Sequence, residues 1–354
     1  MSAGRTVHVV VPAGIADRTK PSGGNTYDRR VCDGLASNGW SVKVCEVAGD
    51  WPEADELSRG MLAGALEDAP RGSVVLVDGL VASASPEVMV PAARRVRIVV
   101  LMHMPLGAGG DDADRGREEA VLRAAAAVVT TSVWTRRWLL ETYRLEPERV
   151  HVARPGVDAA APAAGGAEGG NLLCVGAVTP GKGHDTVVAA LARVADLDWR
   201  CVCVGSVTRS SEFVASLRRD IRDAGLEDRV QLAGPRSGAD LEAAYEAADL
   251  LVLASRAETY GMVVTEALAR GLPVLTCDVG GVSEALGTAT DGDRPGLLVL
   301  PGDVGAIADA LRRWLADPAL RTRLRTAAAQ RRTTLTGWDR TADRVARVLE
   351  GVAA

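Results

Sequence analysis

The sequence predicts an α/β protein made of two doubly wound domains, each with a parallel sheet. Three observations carry this expectation. Short β-branched runs alternate with amphipathic helical patterns along most of the chain, which is the mark of successive βαβ units. The alternation stops once, at residues 155–170, where PGVDAAAPAAGGAEGG replaces periodicity with small residues and glycines and reads as a linker. The length of 354 residues suits two cores at roughly 100–200 residues per domain.

In the first half the strands are VHVVVP, SVKVCEV, SVVLVDG, RIVVLMH, AVVTTS and RVHVARPG, each followed by a polar or amphipathic stretch. A representative helix starts after Gly24, where Tyr27, Val31, Cys32 and Leu35 fall at helical spacing and Asn38-Gly39 supplies a stop. The expected boundaries are 1–157 for the N-terminal domain, 158–170 for the linker and 171–335 for the C-terminal domain. Beyond the linker, NLLCVG, RCVCVG, RVQLAG, DLLVLAS, LPVLTC and GLLVL read as strands, with helices near 184–194, 211–224, 239–247, 260–270, 280–286 and 303–316. The tail from about 318 to 351 has no strand signal. Its stripe of Trp338, Val345, Val348 and Leu349 must be buried somewhere, and a return of 336–354 to the first domain is one way to bury it. Two such domains place ligand sites at the carboxyl ends of their strands, facing each other across a cleft.

Composition narrows the function. The hydrophobic fraction is 47% and the charged fraction 25%, so disorder and fibrous repeats are poor readings. Net charge is −5, which argues against a protein that grips nucleic acid through massed positive charge. Lys20, Lys43 and Lys182 are the only lysines among 41 cations, so each lysine merits inspection. The six cysteines form no CxxC pair and sit mostly in apolar runs, as buried thiols of a reducing compartment do. With four histidines and no HExxH or Cys/His cluster at ligand spacing, no dedicated metal site is expected. The N-terminal apolar stretch is too short for a signal sequence and no span approaches the ~18 apolar residues of a transmembrane helix. A cytoplasmic location is expected, with peripheral membrane contact open. The arginines of the tail, Arg321, Arg323, Arg325, Arg331 and Arg332, read as the solvated face of amphipathic helices rather than as a membrane or nucleic-acid surface.

Two segments carry the chemistry. VGAVTPGKGHD at 175–185 is a strand end running through a glycine-rich loop into a helix, so backbone N–H groups, a helix N-terminus and the Lys182 ammonium can converge on an anion. Gly176, Gly181 and Lys182 satisfy the start of a Walker A loop, but Gly183 stands where a nucleoside triphosphatase needs Ser or Thr for magnesium, and the strand VVLVDG ending at Asp78 comes before the loop rather than after it. SRAETYGMVVTEALARGLPVL at 255–275 follows the strand DLLVLA. Glu258 falls in the loop and Tyr260-Gly261-Met262 opens the next helix, so the carboxylate and the helix N-terminus face one space. Glu266, about two turns on, is a carboxylate in the apolar run VVTEALA, where strong hydrogen bonds such as those from ligand hydroxyls are needed.

The E-x7-E spacing of Glu258 and Glu266, the preceding G-x5-K-G loop and the following GGVSE at 280–284 resemble, in that order, the donor half of retaining glycosyltransferases of family 4, which have the GT-B fold of two Rossmann-like domains. The resemblance is specific from Leu172 to about Pro301 and weaker before Pro155. It implies that Lys182 neutralises the donor diphosphate, Glu266 accepts from the ribose hydroxyls and Glu258 binds sugar hydroxyls. It also places Gly176 in the phosphate loop, Tyr260, Gly261 and Met262 against the sugar and β-phosphate, and Gly234-Pro235-Arg236 against the base. Many members carry arginine where this chain has Ala177, and Arg256 and Arg236 are candidate substitutes. In the first half, PSGGNTYDRR at 21–30 is similar to the family's glycine-rich loop, with Gly23 and Gly24 letting amides approach an anion before the helix begins. His103, at the end of RIVVLMH, corresponds to a histidine that contacts the donor sugar near the reacting carbon.

The resemblance implies transfer of a hexosyl-type group from a nucleotide diphosphate sugar to a small-molecule or glycan acceptor, with retention. No DxD-like motif sits at a matching position, so no obligatory metal or other cofactor is expected. A sugar-nucleotide epimerase of similar fold and a catalytically idle nucleotide-binding protein are the rivals. A Rossmann dehydrogenase fits worse, because VVVPAGIAD stands in place of G-x-G-x-x-G. Acceptor choice is expected in loops near 12–26, 79–86 and 104–116, the last carrying Asp111, Asp112 and Asp114.

Overall fold

A computed structural model of the chain describes residues 5–15, 17 and 22–353. Residues 16 and 18–21 of the predicted 12–26 loop, with Lys20 and the start of the PSGGNTYDRR segment, lie outside them. The described residues divide into two compact units, one reaching residue 156 and taking in 337–353, the other spanning 157–336.

In the first unit the chain runs β1 (Thr6–Pro12), α1 (Gly23–Ser37), β2 (Ser41–Val47), α2 (Glu56–Asp68), β3 (Val74–Asp78), α3 (Gly79–Ser83), α4 (Pro86–Ala92), β4 (Arg97–Met102), α5 (Asp112–Ala124), β5 (Ala127–Thr130), α6 (Val133–Tyr143) and β6 (Val150–Val152). The strands form one parallel sheet in the order β2-β1-β3-β4-β5-β6. Alternate residues face opposite sides, and both sides are covered. Val75, Val77 and Val100 pack on one face, while Val74, Leu76, Val99 and Leu101 pack on the other. That double burial is why the inner strands read as unbroken apolar runs, whereas the edge strand β2 is largely exposed.

The second unit follows the same logic with β7 (Asn171–Val175), α7 (His184–Ala192), β8 (Arg200–Val204), α8 (Ser211–Asp223), β9 (Val230–Gly234), α9 (Ala239–Glu246), β10 (Leu250–Leu253), α10 (Met262–Ala269), β11 (Val274–Cys277), α11 (Val282–Leu286), β12 (Gly296–Val299), α12 (Val304–Ala316) and α13 (Pro318–Arg332). Its parallel sheet has the order β12-β11-β10-β7-β8-β9. The chain therefore leaves β7 toward one edge and later returns to β10 on the other side. The gap between the β7 and β10 ends is the topological switch point, where loops diverge and leave room for a ligand.

The last helix, α14 (Trp338–Ala353), packs on α1 in the first unit. Val345 and Leu349 are fully buried in the core on that face. Gly34 of α1 allows the approach, since a Cβ there would lie 2.4 Å from the Ala342 Cβ. Thr341 Oγ1 donates to the Arg154 carbonyl at 2.7 Å, and Asn38 Nδ2 donates to Asp343 at 2.9 Å.

Two expectations are corrected by this architecture. Gly23 and Gly24 do not precede α1 but form its first turn, after Ser22. The arginines of the tail are largely spent inside the second unit rather than solvated. Arg321 is buried and donates to the carbonyls of Trp314 and Leu315, Arg325 pairs with buried Asp249 at 2.9 Å, Arg331 donates to the Leu286 carbonyl, and Arg332 to those of Ala269 and Ala160. Only Arg323 of that set lies exposed with no partner among the described residues. The guanidinium fork suits such carbonyl capture, because several donors leave it in one plane. Among the described residues no helix is long and apolar enough to cross a membrane.

Candidate active site

At the switch point of the second unit the loop after β7 meets the loop after β10. Gly183 makes the meeting possible. Its φ is +68°, and a Cβ on it would lie 2.0 Å from the Ala254 carbonyl oxygen. No serine or threonine fits there, which is the physical reason the Walker A reading fails at this residue. The Lys182 ammonium then reaches Glu258 Oε1 at 2.5 Å, and Ser255 Oγ donates to the same oxygen at 3.0 Å. Glu258 keeps 18% of its side chain exposed and Lys182 37%, so both are held yet reachable.

The backbone around Glu258 is pinned from a third side. Gly280, with φ +53°, and Gly281 press against the carbonyls of Glu258 and Thr259, where Cβ atoms would come within 1.7 and 2.2 Å. This is the structural content of the GGVSE motif: it lets α11 support the loop directly. Tyr260 is buried, and Gly261, at φ +97°, turns the chain into α10. The amides of Met262 and Val263 open that helix with no intrahelical acceptor, next to Glu258 in the chain.

Glu266 lies farther along α10. Tyr245 Oη donates to its Oε2 at 2.9 Å. Burial raises the Glu266 pKa, opposed by that hydrogen bond and by Arg270. Arg270 stacks on the Tyr245 ring, its Cζ 4.3 Å from the centroid, and pairs with Glu242, so the tyrosine is fixed from both sides. The sequence predicts the 239–247 helix but does not show that the Tyr245 hydroxyl on it holds Glu266. The missing signal is one of distance, because 21 residues separate the pair.

The candidate replacements for the arginine absent at Ala177 differ. Arg256 is committed to Asp185 at 2.6 Å and to the Pro180 carbonyl, while its own amide donates to the Gly181 carbonyl at 2.8 Å. It braces the Lys182 loop. Arg236, after β9, is half-buried and has no hydrogen-bond or ion-pair partner among the described residues. Gly234, at φ +74°, ends β9 where the register with β8 slips, and its carbonyl accepts from the Gly205 amide at 2.9 Å. Gly176 borders the Lys182 side chain, at 3.7 Å from where a Cβ would stand.

The first unit gathers a separate cluster at the carboxyl ends of its strands. His103 follows β4, Asp78 ends β3, and Asp28 lies on α1. His103 Nε2 is 2.7 Å from Asp28 Oδ1 and 3.4 Å from Asp78 Oδ2, with both carboxylates buried. Burial alone would lower the His103 pKa, but Asp28 and then Asp78 outweigh it and push it up to about 9. Asp78 is pushed up to about 7 by burial and by Asp28, against His103 and the amides of Val81 and Leu80. Tyr27 meets the His103 ring edge-on at 5.1 Å, and Gly24 faces it so closely that a Cβ would stand 3.4 Å from Cδ2. Of these partners the sequence singled out only His103 and Gly24.

The 104–116 loop is built rather than loose. Buried Glu118 accepts from the amides of Leu106 and Gly107, from Ser83 Oγ and from Tyr143 Oη, the last at 2.7 Å. Asp111 and Asp114 form a reciprocal capping box at the start of α5, and Asp112 pairs with Arg115. The acids are therefore helix caps and an ion pair.

Comparison with known proteins agrees with this division. A family model described as "Glycosyl transferases group 1" matches residues 167–331, and one described as "Glycosyltransferase Family 4" matches residues 21–161. Among curated proteins, D-inositol 3-phosphate glycosyltransferase of Kineococcus radiotolerans is 35% identical over 249 residues, which is 64% of this chain and 57% of that protein. The protein of the same name from Pseudarthrobacter chlorophenolicus is 33% identical over 240 residues, 64% of this chain and 56% of the relative. The match thus spans little more than half the length of these relatives. Among solved structures, sucrose-phosphate synthase from Thermosynechococcus elongatus superimposes with a TM-score of 0.82 at 22% identity, covering 98% of both chains. Anabaena HepE, solved in complex with UDP-glucose, gives 0.79 at 16% identity, covering 98% of this chain and 99% of its own. With two parallel α/β units of the GT-B kind and family models that together reach from residue 21 to residue 331, the chain belongs to the family 4 glycosyltransferases.

Proposed function

We propose that the protein transfers a glycosyl group from a nucleoside diphosphate sugar to an acceptor hydroxyl, with retention at the anomeric carbon and without an obligatory metal. The observation that carries this reading is the Lys182–Glu258 contact at the switch point, with the Tyr245-held Glu266 on the helix that follows. A diphosphate leaving group gains negative charge as the glycosidic bond breaks. Lys182 and the α10 amides are fixed donors that stabilise this charge more in the transition state than in the ground state. Glu258, freed from part of its bond to Lys182, accepts from sugar hydroxyls, and Glu266 accepts from the ribose. Arg236 is our choice for the group that meets the base side of the nucleotide. In the N-terminal unit we assign His103 to the reacting sugar, as a charged donor held by Asp28.

The relatives' name makes a phosphorylated cyclitol the first acceptor to assay, and the ligand of HepE makes UDP-glucose the first donor. The test is thermal unfolding of the purified protein with UDP, GDP, ADP and NAD, each in EDTA and in magnesium. A rise with one nucleoside diphosphate in EDTA is expected, followed by acceptor-dependent release of that diphosphate. A rise with NAD alone overturns the reading. Release of nucleotide and altered sugar without any acceptor points to an epimerase instead.

A further inference from the structure

Beneath the Lys182 loop lies a cluster that the proposed reaction does not use. The parallel register of β7 and β8 sets Cys174 directly beside Cys203. His184, the first residue of α7, comes down on the same side, so that both sulfurs and an imidazole nitrogen lie within 4.8 Å of one another. His184 is 1% exposed, and neither of its ring nitrogens has a hydrogen-bond partner among the described residues. A buried polar atom left without a partner is costly, and here a single ring carries two such atoms. Cys201, two residues before Cys203 on β8, shares its face.

We propose that Cys174, Cys203 and His184 bind a zinc ion. Two thiolates and an imidazole are a soft donor set suited to a d10 cation. Two thiolates, one neutral imidazole and Zn2+ sum to zero charge, which a dry core tolerates where a bare ion is costly. Metal uptake releases both thiol protons to solvent. The ion would also clamp both ends of one loop, since Cys174 stands just before Gly176 and His184 just after Gly183.

The test uses the full chain, unfolded under reducing conditions, refolded with Zn2+ or Co2+, desalted and analysed for metal by mass spectrometry. About one equivalent per chain is expected, with sulfur-to-cobalt charge-transfer bands in the Co2+ form. Cys203→Ala and His184→Gln, checked for folding by near-ultraviolet circular dichroism, should each lower the retained metal at least about tenfold. Cys277→Ser, a buried thiol outside the cluster, should retain it. Refolded wild-type protein that holds no metal, a cobalt form without thiolate bands, or folded ligand variants that hold as much as the wild type would each overturn the proposal. If a ligand variant does not fold, the wild-type metal content and the cobalt spectrum decide.

Discussion

At the scale of single residues, the proposed transfer rests on Lys182, Glu258 and Glu266 of the second unit. Replacing Lys182 by alanine removes the only ammonium at the switch point among the described residues and is expected to lower kcat by about 10²-fold or more, with KM for the donor changed less. Steady-state kinetics with the donor found by thermal unfolding checks this, and unchanged turnover would remove the diphosphate role. Tyr245→Phe deletes the donor that fixes Glu266 Oε2. It should weaken nucleotide binding by roughly 1–2 kcal/mol in calorimetry while leaving the Lys182 contact intact. In the first unit the raised His103 pKa has a definite consequence for stability. The folded value of about 9 lies above the ordinary 6.5, so the imidazolium adds stability that is complete below about pH 6.5 and is lost as pH rises through 9. The melting temperature should fall across that window, and the fall should shrink in His103→Gln. In Asp28→Asn the His103 titration, followed by NMR of the ring protons, should move downward, because the closest charge that supports the imidazolium is gone.

At the scale of elements, the loops are shaped by close backbone approach. Gly183 shows this most sharply. Gly183→Ser would restore the Walker A residue, yet it must place a side chain at φ +68° and 2.0 Å from a carbonyl oxygen. A cost of about 2 kcal/mol or more is expected in denaturant unfolding, with loss of donor binding, rather than any gain of triphosphatase activity. A sequence motif can therefore come within one residue of a consensus and still be forbidden by packing to complete it. The acids of the 104–116 loop carry the complementary lesson. The sequence places them in a loop where acceptor choice is expected, and hydrogen bonding assigns Asp111 and Asp114 to a helix start.

At the scale of the whole molecule, the chain crosses from the first unit to the second and returns once, as α14. That return makes the first unit depend on a segment far from it in sequence. Leu349 is fully buried there, so Leu349→Ala should cost about 2–5 kcal/mol. Because two units need not unfold together, the measurement that isolates the effect is hydrogen exchange. Amides of β1, β3 and β4 should lose protection in the variant, while those of β7, β8 and β10 keep theirs. Equal loss in both units would contradict the assignment of α14 to the first core.

The strands and helices of both units were legible in the sequence because a parallel sheet covered on both faces demands unbroken apolar runs, and the helices that cover it demand a 3.6-residue period. The loops after β7 and β10 were legible for a related reason: glycines at a strand end announce a turn into a helix, and Lys182, Glu258 and Glu266 stand at fixed distances from such turns. What only the tertiary structure decided is which side chains finish each site. Tyr245 on Glu266, Asp28 and Asp78 on His103, Arg256 on Asp185, and His184 between Cys174 and Cys203 are all pairs or triplets brought together by strand order. The physical reason is that spacing along a chain reports neighbours within an element, whereas in a doubly wound sheet the residues that meet at the carboxyl edge come from strands adjacent in space and distant in sequence.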